Sequence, residues 1–291
     1  MLASSSIWLA SVLWKNIQQI KTASSSFPYW QFLGATFFST LALFMASVTY
    51  YFIFKETTNK ASSFSRCITP YLYSQIVRYL PGKVWGIIYQ AKQVEDHISA
   101  HLVWETNLAQ FILGTAASGI AITWVFFQKL LGPWPAGLLL AILLLAYFIL
   151  LKNNIYHAIT RYITKHFKKD NQNTSPLQSD QSSAILASLL AEWGFYFFAW
   201  IILLQNLHPI DEIVIISILY VASWIIGFVV IVLPSGILVR ESTFVGLGMI
   251  FGYDPGMMTF YAILGRLLFS VSDIINTLLA YAFFKKNQAC P

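Results

Sequence analysis

The sequence predicts an all-α polytopic transmembrane helical bundle made of two inverted span–re-entrant hairpin–span units. Three observations lead there. Only 10% of the 291 residues are charged and 57% are hydrophobic, whereas a soluble domain carries about 25% charged residues. The apolar residues fall in long unbroken runs, such as 136–151 and 213–233, and a helix needs about 20 such residues to cross the hydrocarbon core. Backbone groups must pair internally in lipid, and runs without alternation exclude a barrel. Finally, Lys and Arg placement leaves two proline-broken segments that return to the side they entered from.

Taken along the chain, residues 1–27 read as an N-terminal interfacial helix, because the apolar stretch 7–14 is too short to span and Lys15, Gln18, Gln19 and Lys21 follow. Residues 28–127 form a first repeat. It holds a span at 29–54, a mixed segment at 64–80 broken at Pro81-Gly82, a short helix at 83–93 and a span at 98–127. A Gly132-Pro133-Trp134-Pro135 turn leads to a connecting span at 133–151. Residues 152–181 are a hydrophilic, basic loop. Residues 182–286 form the inverted second repeat, with a span at 184–204, a long apolar run at 213–233 broken at Pro234-Ser235-Gly236, a short segment at 237–251 and a last span to Phe284.

The positive-inside bias orients these elements. Lys152, Arg161, Lys165, Lys168 and Lys169 place the 152–181 loop in the cytoplasm, Lys285 and Lys286 place the C-terminal end there, and Lys55, Lys60 and Arg66 do so for the first loop. The turns at Gly132 and His208 fall outside. Segments 64–93 and 213–251 must then enter and leave on one face, with Pro81, Gly82, Pro234, Ser235 and Gly236 at the tips. Broken helices in inverted repeats are how many transporters build midplane sites. An ordinary kink or loop end is the competing reading of each proline break.

The net charge of +6 fits this bias and attraction to anionic lipid better than nucleic-acid binding. Cys67 and Cys290 have no metal or disulfide spacing, the N-terminus lacks a basic leader, and no cofactor is expected. His97 and His101 share a helix face, which suits metal but is more simply an interfacial rim. No nucleophile elbow, Gly-rich phosphate loop or paired-carboxylate motif is present, so the chain reads as a non-enzyme.

Charges inside spans are costly and need a partner or a wet cavity. The candidates are Arg78, Lys83, Glu105, Glu192, Arg240, Glu241, Arg266 and Asp273. Arg78 and Lys83 flank the first break and Arg240 follows the second, where new helices expose their first amides and favour a phosphate. Lys83, Arg240, Arg266 and Arg78 are the candidate substrate-binding cations. Glu105, Glu192, Glu241 and Asp273 are candidate proton carriers or ion-pair partners. The alternative is that these cations only neutralise the acids within the bundle.

The two breaks also carry a family resemblance. Arg78-Tyr-Leu-Pro-Gly-Lys-Val-Trp85 resembles the Tyr-Leu-Pro-Gly-Lys-X-Trp motif of the lysylphosphatidylglycerol synthase transmembrane-region family. Leu233-Pro-Ser-Gly-Ile-Leu-Val-Arg-Glu241 is similar to its Pro-Gly-Gly-X-Gly-X-Arg-Glu motif, with Ser235 and Leu238 in place of two glycines. Arg266 falls in a segment resembling its late Ala-Arg-Leu stretch, and Glu105 matches a glutamate often found after the first motif. The resemblance implies lipid handling, as in the flippase half of the multiple peptide resistance factor or in polyprenyl-glycolipid, hopanoid and cell-envelope pathways. It implies no lysyl transfer, since the aminoacyl-transferase domain of two-domain members is absent here.

The expected function is therefore a lipid flippase or transporter of the inner membrane. Its partner would be a lipid with an anionic headgroup, a phospholipid or polyprenyl-phosphate glycolipid, and no nucleic acid. Nothing in the sequence excludes a homo-oligomer. The competing classes are an ion-coupled small-solute carrier and a non-transporting membrane subunit of a lipid biosynthesis pathway.

Overall fold

The computed structural model describes residues 27–58, 63–77, 79, 85–94, 99–164, 181–229 and 239–284. The expected interfacial helix before Phe27, the cations Arg78 and Lys83, the tips Pro81, Gly82, Pro234, Ser235 and Gly236, and Lys285 and Lys286 lie outside them.

The described residues contain helices and no strand. In chain order these are α1 (Tyr29–Thr58), α2 (Phe64–Val77), α3 (Trp85–Val94), α4 (Ala100–Leu131), α5 (Pro133–Lys152), α6 (Ile155–Thr164), α7 (Ser182–Leu204), α8 (Ile210–Val229), α9 (Val239–Ile250) and α10 (Pro255–Phe284). Six of them, α1, α4, α5, α7, α8 and α10, are long and apolar enough to cross a membrane. The chain is a multi-pass membrane protein. By contrast α2, α3 and α9 have 14, 10 and 12 residues, and at about 1.5 Å per residue none covers a core about 30 Å thick.

Several boundaries differ from the sequence reading for local reasons. The expected Gly132–Pro135 turn is a single residue, Gly132 at φ 86°, because Pro133 begins α5 directly. Proline suits the first helical turn, where its missing N–H removes no bond. Pro255 starts α10 in the same way, and Asp254 caps it by accepting a hydrogen bond from the Met257 amide (2.9 Å). The hydrophilic 152–181 segment, expected as a loop, contains the helix α6.

The chain divides into two compact units. The first takes the described parts of residues 1–40, 79–83 and 195–272, and the second those of 41–78, 84–194 and 273–291. In the second unit α3 packs on α2. Gly86 lies against the Ser74 carbonyl, 3.1 Å from where a Cβ would stand. The Gln90 amide donates to Ser74 Oγ (2.6 Å) and accepts from Asn107 Nδ2 of α4 (2.8 Å). Gln110 of α4 donates to the Ala46 carbonyl of α1 (2.8 Å). These bonds satisfy polar side chains that would otherwise be costly to bury.

In the first unit α9 packs on α8 at Gly227, where a Cβ would come within 3.1 Å of Arg240 Cβ. Ser39 and Ser272 share a short hydrogen bond between α1 and α10 (2.5 Å). Hydroxyls elsewhere close onto their own helix, as Thr36 does on the Phe32 carbonyl (2.7 Å) and Thr40 on Thr36 (2.7 Å), which lets them sit in an apolar setting. α5 has the opposite character. Leu138, Ile142, Leu145 and Ile149 are exposed along it, as expected of a lipid-facing helix.

An arginine on an aromatic wall as candidate functional site

The first unit gathers three of the predicted site residues. Arg240 and Glu241 lie in the first turn of α9 and Arg266 in α10. Glu241 is held by Arg266, whose Nη1 donates to its Oε1 (2.5 Å). The pair is mostly withdrawn from the surface, so each charge is neutralised where an isolated one would be expensive.

Arg240 is placed differently. Its guanidinium carbon sits 4.3 Å from the centroid of the Tyr220 ring, over the face. Among the described residues no carboxylate or carbonyl accepts a hydrogen bond from it. A cation–π contact of this kind contributes about 0.5–2 kcal/mol and does not itself use the guanidinium's N–H donors.

An aromatic wall holds Tyr220 in turn. Its ring meets Trp200 (4.9 Å between centroids), Phe244 edge to face (5.3 Å) and Phe269 stacked (5.8 Å). The other side is Gly265 of α10, where a Cβ would fall 2.8 Å from ring carbons and 2.9 Å from the hydroxyl. Only glycine allows that approach. The Tyr220 hydroxyl is buried without a hydrogen-bond partner among the described residues, and the charged or titratable groups acting on it include Arg240, Glu241, Arg266 and Tyr79.

Tyr79 ties the first motif to this site. It follows Arg78 in the sequence, and its hydroxyl stands 3.3 Å from Ser270 Oγ, one turn beyond Arg266 on α10. Neither Tyr79 nor Tyr220 was singled out by sequence reasoning. Tyr79 had a signal, since it opens the first motif. Tyr220 had none, because it lies 20 residues before Arg240 and reaches it only through the α8–α9 packing at Gly227.

A model of the lysylphosphatidylglycerol synthase TM region matches residues 1–271. The chain belongs to this family. No curated protein and no solved structure matches it. Within the family's frame the described part of the second motif supplies a cation set over Tyr220, Arg240, and an acid bound to Arg266, Glu241.

The other predicted residues lie in the second unit. Glu105 is buried on α4, with His101 Nδ1 3.9 Å from its Oε2. Glu192 on α7 stands beside Tyr147. Asp273 is buried on α10. Among the described residues neither Glu105 nor Glu192 has an ion pair to an arginine or lysine. Of the four candidate acids, Glu241 is the one seen to meet an arginine among the described residues. No cluster of three metal-ligating side chains occurs among the described residues, and His97 lies outside them.

Proposed function

We propose that this chain is a lipid flippase or lipid transporter of a bacterial-type inner membrane, acting on a lipid whose headgroup carries a phosphate. The observation that carries the reading is Arg240. A guanidinium set over a tyrosine ring, with no carboxylate bound to it among the described residues, is a site for an anion with paired oxygens. Arg240 also lies in the first turn of α9, where backbone N–H groups have no partner within the helix and the dipole favours negative charge.

On this reading the headgroup phosphate meets Arg240 at its edge, the Tyr220 hydroxyl donates a further hydrogen bond, and the acyl chains stay in lipid. Lys83 and Arg78 of the first motif add positive charge. Arg266 keeps Glu241 neutralised, so that acid does not repel the phosphate. Glu105 and Glu192 are the acids free to carry a proton with the lipid.

We also read the two breaks as tips of re-entrant hairpins in inverted repeats. Support comes from the close packing of α2 on α3 and of α8 on α9. The two hairpins are then unequal, since α8 is long enough to cross while α9 is a half-length arm. The basic ends favour a cytoplasmic first loop (Lys55, Lys60 and Arg66), a cytoplasmic 152–181 segment (Lys152 onward) and a cytoplasmic C-terminal end (Lys285 and Lys286).

The test is a dithionite assay in proteoliposomes that hold the purified chain and trace fluorescent phosphatidylglycerol. Loss of the protected inner-leaflet fraction beyond that of protein-free vesicles is expected. A protected fraction equal to that of protein-free vesicles, with and without a proton gradient, would remove the flippase reading. Inorganic phosphate as competitor separates recognition of the phosphate alone from recognition of the whole lipid.

A further inference from the structure

The helix α6 has two faces with different surroundings. Tyr156, His157 and Thr160 are buried, at 0%, 1% and 0% exposure. Ile155, Ala158, Ile159, Tyr162 and Ile163 are exposed. At about 100° per residue these five occupy one continuous arc, and the buried three occupy another. The outer arc carries no charged residue. An exposed apolar stripe of three isoleucines and a tyrosine is not a stable surface in water.

The inner arc is fastened to α1. Glu56, near the end of α1, is buried, and the Tyr156 hydroxyl donates to its Oε2 (2.9 Å). His157 Nε2 stands 3.8 Å from the other oxygen, Oε1. A carboxylate buried this way strongly disfavours any movement that strips its partners.

The position of α6 is fixed by the chain. Only Asn153 and Asn154 separate it from the end of α5. Asn154 takes a left-handed backbone (φ 52°), which asparagine tolerates better than most residues and which turns the chain sharply. Ser182, at the start of α7, donates to the Leu151 carbonyl (3.3 Å) and approaches Asn154 Oδ1 (3.4 Å). The helix thus begins where a membrane-spanning helix ends, with no length of chain to carry it away from the boundary.

Charge points the same way. Residues 152–169 contain Lys152, Arg161, Lys165, Lys168 and Lys169 and no acid. Arg161 occupies a register position outside the apolar arc. An apolar helix face with a tyrosine, in a segment whose charged residues are all basic, is the composition of a helix that lies in the interface of an anionic leaflet.

We propose that α6 is an in-plane membrane helix, clamped to α1 through Glu56, Tyr156 and His157, with Ile155, Ile159, Tyr162 and Ile163 among lipid acyl chains below anionic headgroups. The occupant of this face is the bilayer. The inference does not depend on the flippase reading.

The test uses the full chain, with Cys67 and Cys290 replaced by alanine, in nanodiscs containing phosphatidylglycerol. Nitroxide labels are placed singly at Ile159→Cys and Ile163→Cys, and at Ile142→Cys on α5 as the lipid-facing reference. Collision rates with oxygen, which partitions into lipid, and with a water-soluble nickel chelate are compared. At both α6 positions oxygen collisions should exceed nickel collisions, at a shallower depth than Ile142. Dominant nickel collisions would put this face in water and overturn the proposal. Loss of both collision types would mean that protein, such as a second copy, covers the face, and would also overturn it.

Discussion

The Arg240 guanidinium carbon lies 4.3 Å from the centroid of the Tyr220 ring, and the hydroxyl of that tyrosine is buried with no hydrogen-bond partner among the described residues. A buried hydroxyl left unpaired costs about 1–3 kcal/mol. Tyr220→Phe removes the hydroxyl and keeps the ring under Arg240. The variant is expected to unfold at the same temperature as the parent or a higher one, while phosphatidylglycerol binding weakens several-fold. Thermal unfolding in detergent and lipid titration check the two halves separately. A fall in stability would mean that the hydroxyl serves the fold.

Gly265 is where the wall around Tyr220 is tightest. Gly265→Ala puts a methyl group within 2.8 Å of a ring that Trp200, Phe244 and Phe269 hold in place. Overpacking of this kind costs typically 1–3 kcal/mol. Gly246→Ala, where nothing lies within 4 Å of the added methyl, is the matched control and should not lower the unfolding temperature. Equal effects of the two would show that the ring yields easily.

The Glu241–Arg266 pair makes a separate prediction. With the side chains only 13% and 26% exposed, removing one charge leaves the other poorly compensated. Glu241→Gln and Arg266→Gln should each destabilise, by about 1–3 kcal/mol after discounting for partial exposure. The double variant should be less destabilised than the sum of the singles, which a double-mutant cycle measures directly. Additive losses would show that the two charges do not act as a pair.

Tyr253, in the turn between α9 and α10, gives a pH dependence. Burial pushes its phenol up to about 12, and the Glu212 and Asp211 carboxylates add to the shift. The unfolded chain would titrate near the ordinary value of about 10. The folded state therefore holds this proton more tightly. Its contribution to stability is complete below about pH 10 and declines as pH rises toward about 12. Tyr253→Phe should remove that part of the alkaline decline in unfolding temperature. An unchanged alkaline profile in the variant would assign the decline to other groups.

Most of the bundle was legible because apolar run length and proline punctuation act locally. The six crossing helices fall on the runs read from the sequence, with ends shifted where a proline begins a helix, as at Pro133 and Pro255. α6 was hidden because its lysines and asparagines read as loop, although its isoleucines recur at helical spacing. At the site, charge in an apolar stretch pointed to Arg240, Glu241 and Arg266, since each is expensive there whatever its partner. The partners were not legible. That Arg266 takes Glu241, 25 residues away, and that Arg240 rests on Tyr220 depend on how α8, α9 and α10 pack, which glycines at 227 and 265 decide.

The central claim is that Arg240 is the anion-binding cation and Arg266 is not. Native mass spectrometry of the purified chain, with added phosphatidylglycerol, tests it across Arg240→Ala, Arg240→Lys and Arg266→Gln. Loss of one charged hydrogen-bonding partner is worth about 1.5–3 kcal/mol, or roughly 10–100-fold in affinity. The account predicts a loss of that size in Arg240→Ala, partial recovery in Arg240→Lys, and a smaller loss in folded Arg266→Gln, where Glu241 only loses its counter-charge. Unchanged lipid binding in Arg240→Ala would contradict it.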